Sequence, residues 1–289
     1  MAEFSTPEPI SVAIEIIVGD VRITADDRSD TVVEVRPSDP DRRDDVTAAE
    51  QARVEFEAGR LLVRTIRRWK SFSPFSDGGS VDVHISLPAG SDVSGELSVG
   101  AFRCTGTLGN CTVRTSMGRI HVDRAATARL RTGAGDITVE HADADVELST
   151  GSGEVRAGWI GGAAVIKNSN GATHVGDADG DLRVKSANGD IAVARSRASL
   201  AAKTANGDIR LGAAMRGSVV AETGMGAVEI GVPDGTAAWL DLSTHYGQVL
   251  NDLDAADRPE PDEHTVEVRA RSSFGDVIVR RCYPEAEGN

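Results

Sequence analysis

The chain has 289 residues with a formal net charge of −14, and it contains 31 glycines but only 4% aromatic residues. A negative charge of this size argues against a general affinity for nucleic acid or for anionic lipid surfaces. No apolar run approaches the roughly 20 residues that span a bilayer, and no secretory signal is visible, so the sequence predicts a cytoplasmic protein.

The N-terminal third of the chain is predicted to form a β cap. Residues 1–9 are expected to be a disordered tail, and the cap is expected to cover residues 10–92. Alternating aliphatic residues predict a strand pair with a tight turn over 10–23 and a hairpin over 54–63. The charged segment 38–51 has little apolar surface to bury, which favours a surface loop or a short helix.

A basic loop near residue 70 holds several of the few aromatic residues, which are Trp69, Phe72 and Phe75. If these rings are exposed, the loop is a candidate for binding a partner. The alternative interpretation is that the loop folds over the open end of the repeat structure and shields its core.

A short phrase containing glycine returns roughly every 18 residues from Gly100 onwards. Residues two and four positions after each glycine are usually aliphatic, and a second aliphatic pair precedes the glycine, so each repeat predicts two short strands. The turn between them needs a residue that tolerates positive φ. The predicted corner glycines are Gly118, Gly135, Gly153, Gly171, Gly189, Gly207 and Gly226.

Two all-β architectures fit this period. In a parallel β-solenoid over residues 93–283, each unit of about 18 residues is one two-strand coil stacked on the next, and residues 284–289 form a disordered tail. In an antiparallel meander, each Asn-Gly is a hairpin turn. The solenoid is favoured because glycines, aliphatic residues and hydroxyls recur at matched offsets, so equivalent residues can stack.

A hydroxyl recurs three residues before the glycine. We expect it to form a ladder that satisfies corner backbone groups from coil to coil. Its members are Thr115, Thr132, Thr150, Ser186, Thr204, Thr223, Thr244 and Ser272.

Basic residues recur one position earlier and are predicted to face outward as a stripe on an acidic protein. Such a stripe is a candidate site for an acidic polymer or for the acidic face of another copy, although rows of this kind are more often solvated charges that discourage edge pairing. The candidate binding residues are Arg114, Arg131, Lys167, Lys185 and Lys203, with Arg271 at the same offset.

The sequence offers weak signals for chemistry. Asp190 and Asp208 follow corner glycines and either share a calcium ion or, as we favour, accept corner hydrogen bonds. Asp177 is close to two further aspartates, as in enzymes that cut polysaccharides on a β-helix, but all three are expected in a loop. The histidines show no ligand spacing, and we predict no enzyme activity, no cofactor and no metal.

Residues 81–90, V-D-V-H-I-S-L-P-A-G, followed by iterations of T-x-x-G-D-I-x-V, resemble the putative adhesin family of bacterial β-strand-repeat proteins. The resemblance implies a right-handed β-solenoid and carries no catalytic residues. It favours a non-enzymatic scaffold that presents side-chain ladders to a protein partner or to another copy. The alternative is a module that binds an acidic polymer or a protein through the basic stripe and the Trp69 loop, and a polysaccharide-active enzyme is a third possibility.

Overall fold

A computed structural model of the chain describes residues 1–65, 79–253 and 264–282. Most of these residues lie in β-strands, and one helix occurs among them. The chain divides into two compact units, Met1–Asp143 and Ala144–Asn289, which we call unit 1 and unit 2.

Within unit 1, residues 1–65 and 79–143 form eleven strands and the helix. Its strands are β1 (Ala2–Ser5), β2 (Ser11–Val18), β3 (Val21–Asp26), β4 (Asp30–Pro37), β5 (Arg53–Glu57), β6 (Arg60–Arg64), β7 (Val81–Pro88), β8 (Asp92–Val99), β9 (Phe102–Met117), β10 (Ile120–Ala134) and β11 (Ile137–Ala142), and its helix is α1 (Arg43–Gln51).

Most strands of unit 1 stack in parallel as coils with two walls. In one wall β2 lies between β6 and β8, so that Val12 is paired with both Leu61 and Val93. In the other wall β3 lies between β7 and β9. The strands β2 and β3 are therefore the two walls of an inner coil, although they come before both neighbouring coils in the chain.

Antiparallel strands flank this stack. The hairpin predicted over residues 54–63 is confirmed, since β5 and β6 are antiparallel and both residues of the turn, Ala58 and Gly59, have positive φ. In the other wall β4 is antiparallel to β7 and to β1. Residues 2–5 therefore form a strand that is paired with β4 and are not a disordered tail. The rings of Phe4 and Phe56 also pack together, with their centroids 4.9 Å apart.

The described residues of unit 2, 144–253 and 264–282, form fourteen strands. They are β12 (Val146–Ser152), β13 (Val155–Ile160), β14 (Ala164–Asn170), β15 (Thr173–Ala178), β16 (Leu182–Asn188), β17 (Ile191–Ser196), β18 (Leu200–Asn206), β19 (Ile209–Ala214), β20 (Gly217–Met225), β21 (Val228–Pro233), β22 (Thr236–Tyr246), β23 (Val249–Asn251), β24 (His264–Phe274) and β25 (Val277–Cys282).

The strands of unit 2 form a regular parallel β-solenoid. One wall stacks β12, β14, β16, β18 and β20, and the other stacks β13, β15, β17, β19 and β21. Each residue faces the one about 18 positions later, as Leu182 faces Leu200. The predicted all-β solenoid of about 18-residue coils is confirmed, and these strands do not form the alternative antiparallel meander.

The last coils of unit 2 are stacked out of chain order. The strand β24 pairs in parallel with β20 on one side and with β22 on the other, and β25 likewise lies between β21 and β23. The final coil in the chain is therefore next to last in space, and the coil of β22 and β23 is outermost.

All seven predicted corner glycines have positive φ, between 131° and 149°. At Gly189 an added Cβ would overlap the carbonyl oxygen of Gly171 in the coil below. Glycine is required there for two reasons, because the backbone conformation is unfavourable for other residues and because stacking brings the two corners into contact.

Buried polar side chains complete most corners, whereas the buried hydroxyl of Ser186 has no hydrogen-bond partner among the described residues. The hydroxyl of Thr204 donates to the carbonyl of Gly189 at 3.2 Å, and that of Thr223 donates to the carbonyl of Gly207 at 2.8 Å. Aliphatic residues fill the space between the walls, as Leu182 and Val184 do in one coil. The ladder thus supplies corner carbonyls with donors from the next coil.

Candidate functional site

The outer surface of the β12–β20 wall carries a group of cations. Lys167, Lys185 and Lys203 are register partners on β14, β16 and β18, so their Cα atoms are separated by about one strand spacing, ~4.8 Å. Arg183 lies two residues before Lys185 and therefore on the same side of β16. We call these four residues the cation cluster.

Three members of the cluster have no carboxylate partner within the described part of the chain. Most arginines of unit 2 are bonded to neighbouring carboxylates or carbonyls, as Arg195 is bonded to Asp177 at 2.5 Å and Arg269 to Asp241 at 3.1 Å. Among the described residues of unit 2, the lysines and arginines without such a partner are Lys167, Arg183 and Lys185. The unpaired positive charge of this unit is therefore concentrated at one place.

Small side chains lie on one side of the lysine row and a groove lies on the other. The row two residues later contains Ser169, Ala187 and Ala205, all exposed. The groove has a volume of about 320 Å³ and is lined by apolar residues such as Val220 and by the charged residues Asp181 and Arg183. A ligand can therefore approach the lysines from the side of the small residues.

The lysine row ends within unit 2. Lys203 forms an ion pair of 2.7 Å with Glu222, its register partner on β20. Arg271 follows Glu222 in the stack but is bonded to Asp241 at 3.3 Å. The cluster therefore has a defined limit on this side.

The other two predicted stripe residues lie in unit 1. Arg114 and Arg131 are register partners on β9 and β10 and are exposed. Glu96 on β8 is the next residue in the same row, beside Arg114. The predicted five-residue stripe is thus present as a row of three in unit 2 and a pair in unit 1. Trp69, Phe72 and Phe75 lie outside the described residues.

The aspartates that follow corner glycines bind the backbone of the next coil. Asp190 accepts a hydrogen bond from the Asp208 amide at 2.9 Å, and Asp208 accepts one from the Ala227 amide at 2.9 Å. This arrangement corresponds to the corner hydrogen bonds that we favoured over a calcium site.

The three aspartates of the possible polysaccharide site are held by neighbours in the next coil. Asp177 is bonded to Arg195, Asp179 is bonded to Arg197 at 2.7 Å, and Asp181 accepts the Ser199 amide at 3.2 Å. Their contacts are those of side chains that join successive coils. In unit 1 the hydrogen bond from Arg124 lowers the pKa of Asp143, which likewise favours a permanently charged partner over a proton donor.

The described part of the chain contains no group of three or more His, Cys, Asp or Glu side chains arranged to hold a metal. Burial raises the pKa of Cys104 to about 12 and also raises that of Cys111. Both are therefore protonated thiols at neutral pH, as expected for core residues. In the same described residues, no helix is long and apolar enough to cross a bilayer.

Arg183 was not among the predicted binding residues. Its position is occupied by Val165 and Ala201 in the adjacent coils, so no basic repeat marks it. Because Arg183 is two residues from Lys185 on a strand, the sequence indicates that both side chains point outward. That Arg183 has no carboxylate partner among the described residues is shown only by the structure.

In a comparison with known protein families, residues 11–280 match the family described as Toastrack DUF4097. The chain belongs to the Toastrack family. The match covers the stacked coils and the antiparallel strands β4 and β5 of unit 1, but it does not include β1. It agrees with the resemblance carried by residues 81–90 and the glycine repeats. Toastrack is a domain of unknown function, so membership establishes the type of fold and assigns no activity.

Two solved structures are similar to this Toastrack chain. One is described as a putative adhesin from Bacteroides fragilis NCTC 9343, with 12% identity, 97% of this chain and 95% of that chain covered, and a TM-score of 0.30. The other is described as a putative cell adhesion protein from Clostridium sporogenes ATCC 15579, with 10% identity, coverage of 97% and 99%, and a TM-score of 0.19. No curated protein matches the sequence.

Proposed function

We propose that the protein is a non-enzymatic interaction scaffold, and that the cation cluster of unit 2 binds an acidic polysaccharide. The observation that carries the proposal is the concentration of unpaired cations at Lys167, Arg183 and Lys185 in a chain whose net charge is −14. The matched family and the two structures described as adhesion proteins are compatible with a role in binding.

Electrostatics supports a ligand at this place. Neighbouring lysines about one strand spacing apart repel each other by on the order of 1 kcal/mol in water, and more near a protein surface. A linear anion that lies across the strands replaces this repulsion with attraction. It also releases bound counterions, so its affinity falls as salt rises.

The spacing of the lysines favours one class of polymer. In an extended peptide, side chains on the same side repeat at about 6.6 Å, which is twice the rise per residue and does not match the ~4.8 Å between strands. Single-stranded nucleic acid is usually held by aromatic stacking, and the surface around Lys185 presents Ala187 and Ala205 instead. A polysaccharide with one carboxylate per sugar supplies closely spaced anions and compact rings that fit beside these small side chains.

The test is binding of a polyuronate, measured by titration calorimetry at low and at physiological salt. We expect the double variant Lys167→Glu/Lys185→Glu to lose at least tenfold in affinity, because each substitution replaces an attraction with a repulsion. Arg103→Glu is the matched control, since Arg103 is an exposed arginine of unit 1 and the substitution changes the net charge in the same direction. Equal affinities for the double variant and the wild type would rule out the cluster as the binding site.

The same incubation tests the absence of enzyme activity. The chain length of the polymer, measured by size-exclusion chromatography, should stay unchanged over a prolonged incubation with the protein. Progressive shortening that is abolished by Asp177→Asn would instead indicate a polysaccharide-cleaving enzyme.

A further inference from the structure

The outermost coil of unit 2 leaves a strand edge open. The strand β22 pairs with β24 on one side, and no described strand pairs with its other side. The large side chains Trp239 and Tyr246 are 72% and 69% exposed. An edge of this length with unpaired backbone groups is a template for adding another strand.

The core is also open at this coil. Leu240 and Leu242 point between the walls but remain half-buried, whereas their register partners Val268 and Ala270 on β24 are completely buried. The two pairs of residues differ only in that β24 is covered by a further coil of described residues and β22 is not. The exposed part of the two leucines is therefore the part that a further coil would cover.

The strand β22 itself carries neither of the residues that commonly block pairing at an edge. It contains no lysine and no proline.

We infer that a second copy of this chain occupies the edge, with its β22 antiparallel to the first β22 around a twofold axis. A twofold axis brings the same patch of both copies together, so the patch must be complementary to itself. Residues that are directly opposite each other in a sheet point to the same face. The even-numbered residues of β22 point inward, so an even-numbered residue of one copy must lie opposite an even-numbered residue of the other.

Charge selects among these registers. Centring the axis on Asp241 places two carboxylates opposite each other, which is unfavourable. Centring it on Ser243 places Asp241 of each copy opposite His245 of the other, and Leu242 opposite Thr244. The register centred on Leu242 also avoids opposed like charges, but it places Asp241 opposite Ser243. The register centred on Ser243 is favoured because it pairs each Asp241 carboxylate with an imidazole of the other copy.

The local charge supports the approach of two acidic molecules at this end. Asp241 is already bonded to Arg269 and Arg271 at 3.1 and 3.3 Å. These arginines offset the charge of the Asp241 carboxylate, which reduces its repulsion of a second copy. A peptide from another protein would bind equally well only if its own sequence placed matching charged and apolar residues opposite those of β22.

The first test is the molar mass by light scattering after size exclusion over a concentration series. We expect the wild type to show the mass of two chains, and Leu242→Lys to show that of one. Met117→Lys is the matched control because Met117 is an exposed apolar residue of unit 1, 58% accessible; this variant should remain a dimer. Circular dichroism of each variant establishes that it is folded. A wild type that is monomeric at its highest soluble concentration would overturn the inference, as would a dimer that survives Leu242→Lys.

The second test addresses the register. Residues facing each other across an antiparallel pair have Cα atoms 4.5–5.5 Å apart, which suits a disulfide. In a Cys282→Ser background, Ser243→Cys should give a disulfide-linked dimer under mild oxidation. Ser273→Cys on β24 should not, because it is separated from its mate by three strand spacings, ~14 Å, and by a further offset of four residues along the strands, ~13 Å. Equal cross-linking of the two variants would exclude the proposed pairing.

Discussion

Corner glycines set the strictest requirement on individual residues in this protein. Gly189 combines positive φ with a position directly above the Gly171 carbonyl. We expect Gly189→Val to lower the free energy of unfolding by about 3 kcal/mol or more, since backbone strain of ~1–3 kcal/mol adds to the steric overlap. Thermal and urea unfolding measure the change.

Ala187→Val is the control for this substitution. Ala187 lies two residues earlier on the exposed surface of the same coil, where a larger side chain meets solvent. Its stability should stay within about 0.5 kcal/mol of the wild type. If Gly189→Val is equally mild, the corner geometry described for Gly189 is wrong.

Asn168 illustrates how far the pattern of residues predicts the corner. It occupies the position of the hydroxyl ladder but is neither Ser nor Thr, and the sequence pattern alone gave it no role. In the structure its side-chain amide donates to the carbonyl of Gly153 at 3.1 Å and to that of Gly171 at 2.9 Å. The amide of Asn168 donates to corner carbonyls as the hydroxyls of Ser and Thr do at other corners. A search of the sequence for hydroxyl residues alone therefore misses it.

At the scale of the strands, the reversed stacking of the last coils makes a direct prediction. The strand β24 is paired on both sides, whereas β22 is paired on one. In native-state hydrogen exchange of the monomeric Leu242→Lys variant, amides of β24 should be protected about as well as those of β20, and those of β22 should exchange faster.

The opposite order of protection would contradict this arrangement. Strands stacked in chain order would place β22 beside β20 and β24 at the end, so that β24 would exchange fastest. The amides of β16, which is paired on both sides, provide the internal reference for full protection.

The period of the glycines was sufficient to predict strands, corners and parallel stacking, because each follows from local spacing. The order of the last coils was not predictable in this way. Both β22 and β24 carry alternating apolar residues with the same inward parity relative to Gly247 and Gly275, so either strand fits beside β20. Only the summed packing of the complete unit distinguishes them. The lysine row was likewise predictable from its offset, whereas its limit at Glu222 and its neighbour Arg183 depend on contacts between coils.

For the whole molecule, the net charge of −14 predicts how stability responds to salt. Raising the ionic strength from about 0.01 to 0.15 M shortens the screening length from ~30 to ~8 Å, which weakens repulsion among the excess carboxylates. We expect the melting temperature to rise by a few degrees in scanning calorimetry. A falling melting temperature would mean that ion pairs between coils, such as Arg195 with Asp177, outweigh the general repulsion.

The displaced position of β24 and β25 also bears on how the chain acquires its structure during synthesis. The ribosome releases β22 and β23 before the coil that must separate them from β20 and β21. The outermost coil therefore cannot reach its final place by adding to the growing stack, and it must wait until the last strands have been made. Folding of these coils therefore cannot proceed strictly from the N-terminus, because the outer coil docks only after β24 and β25 have left the ribosome.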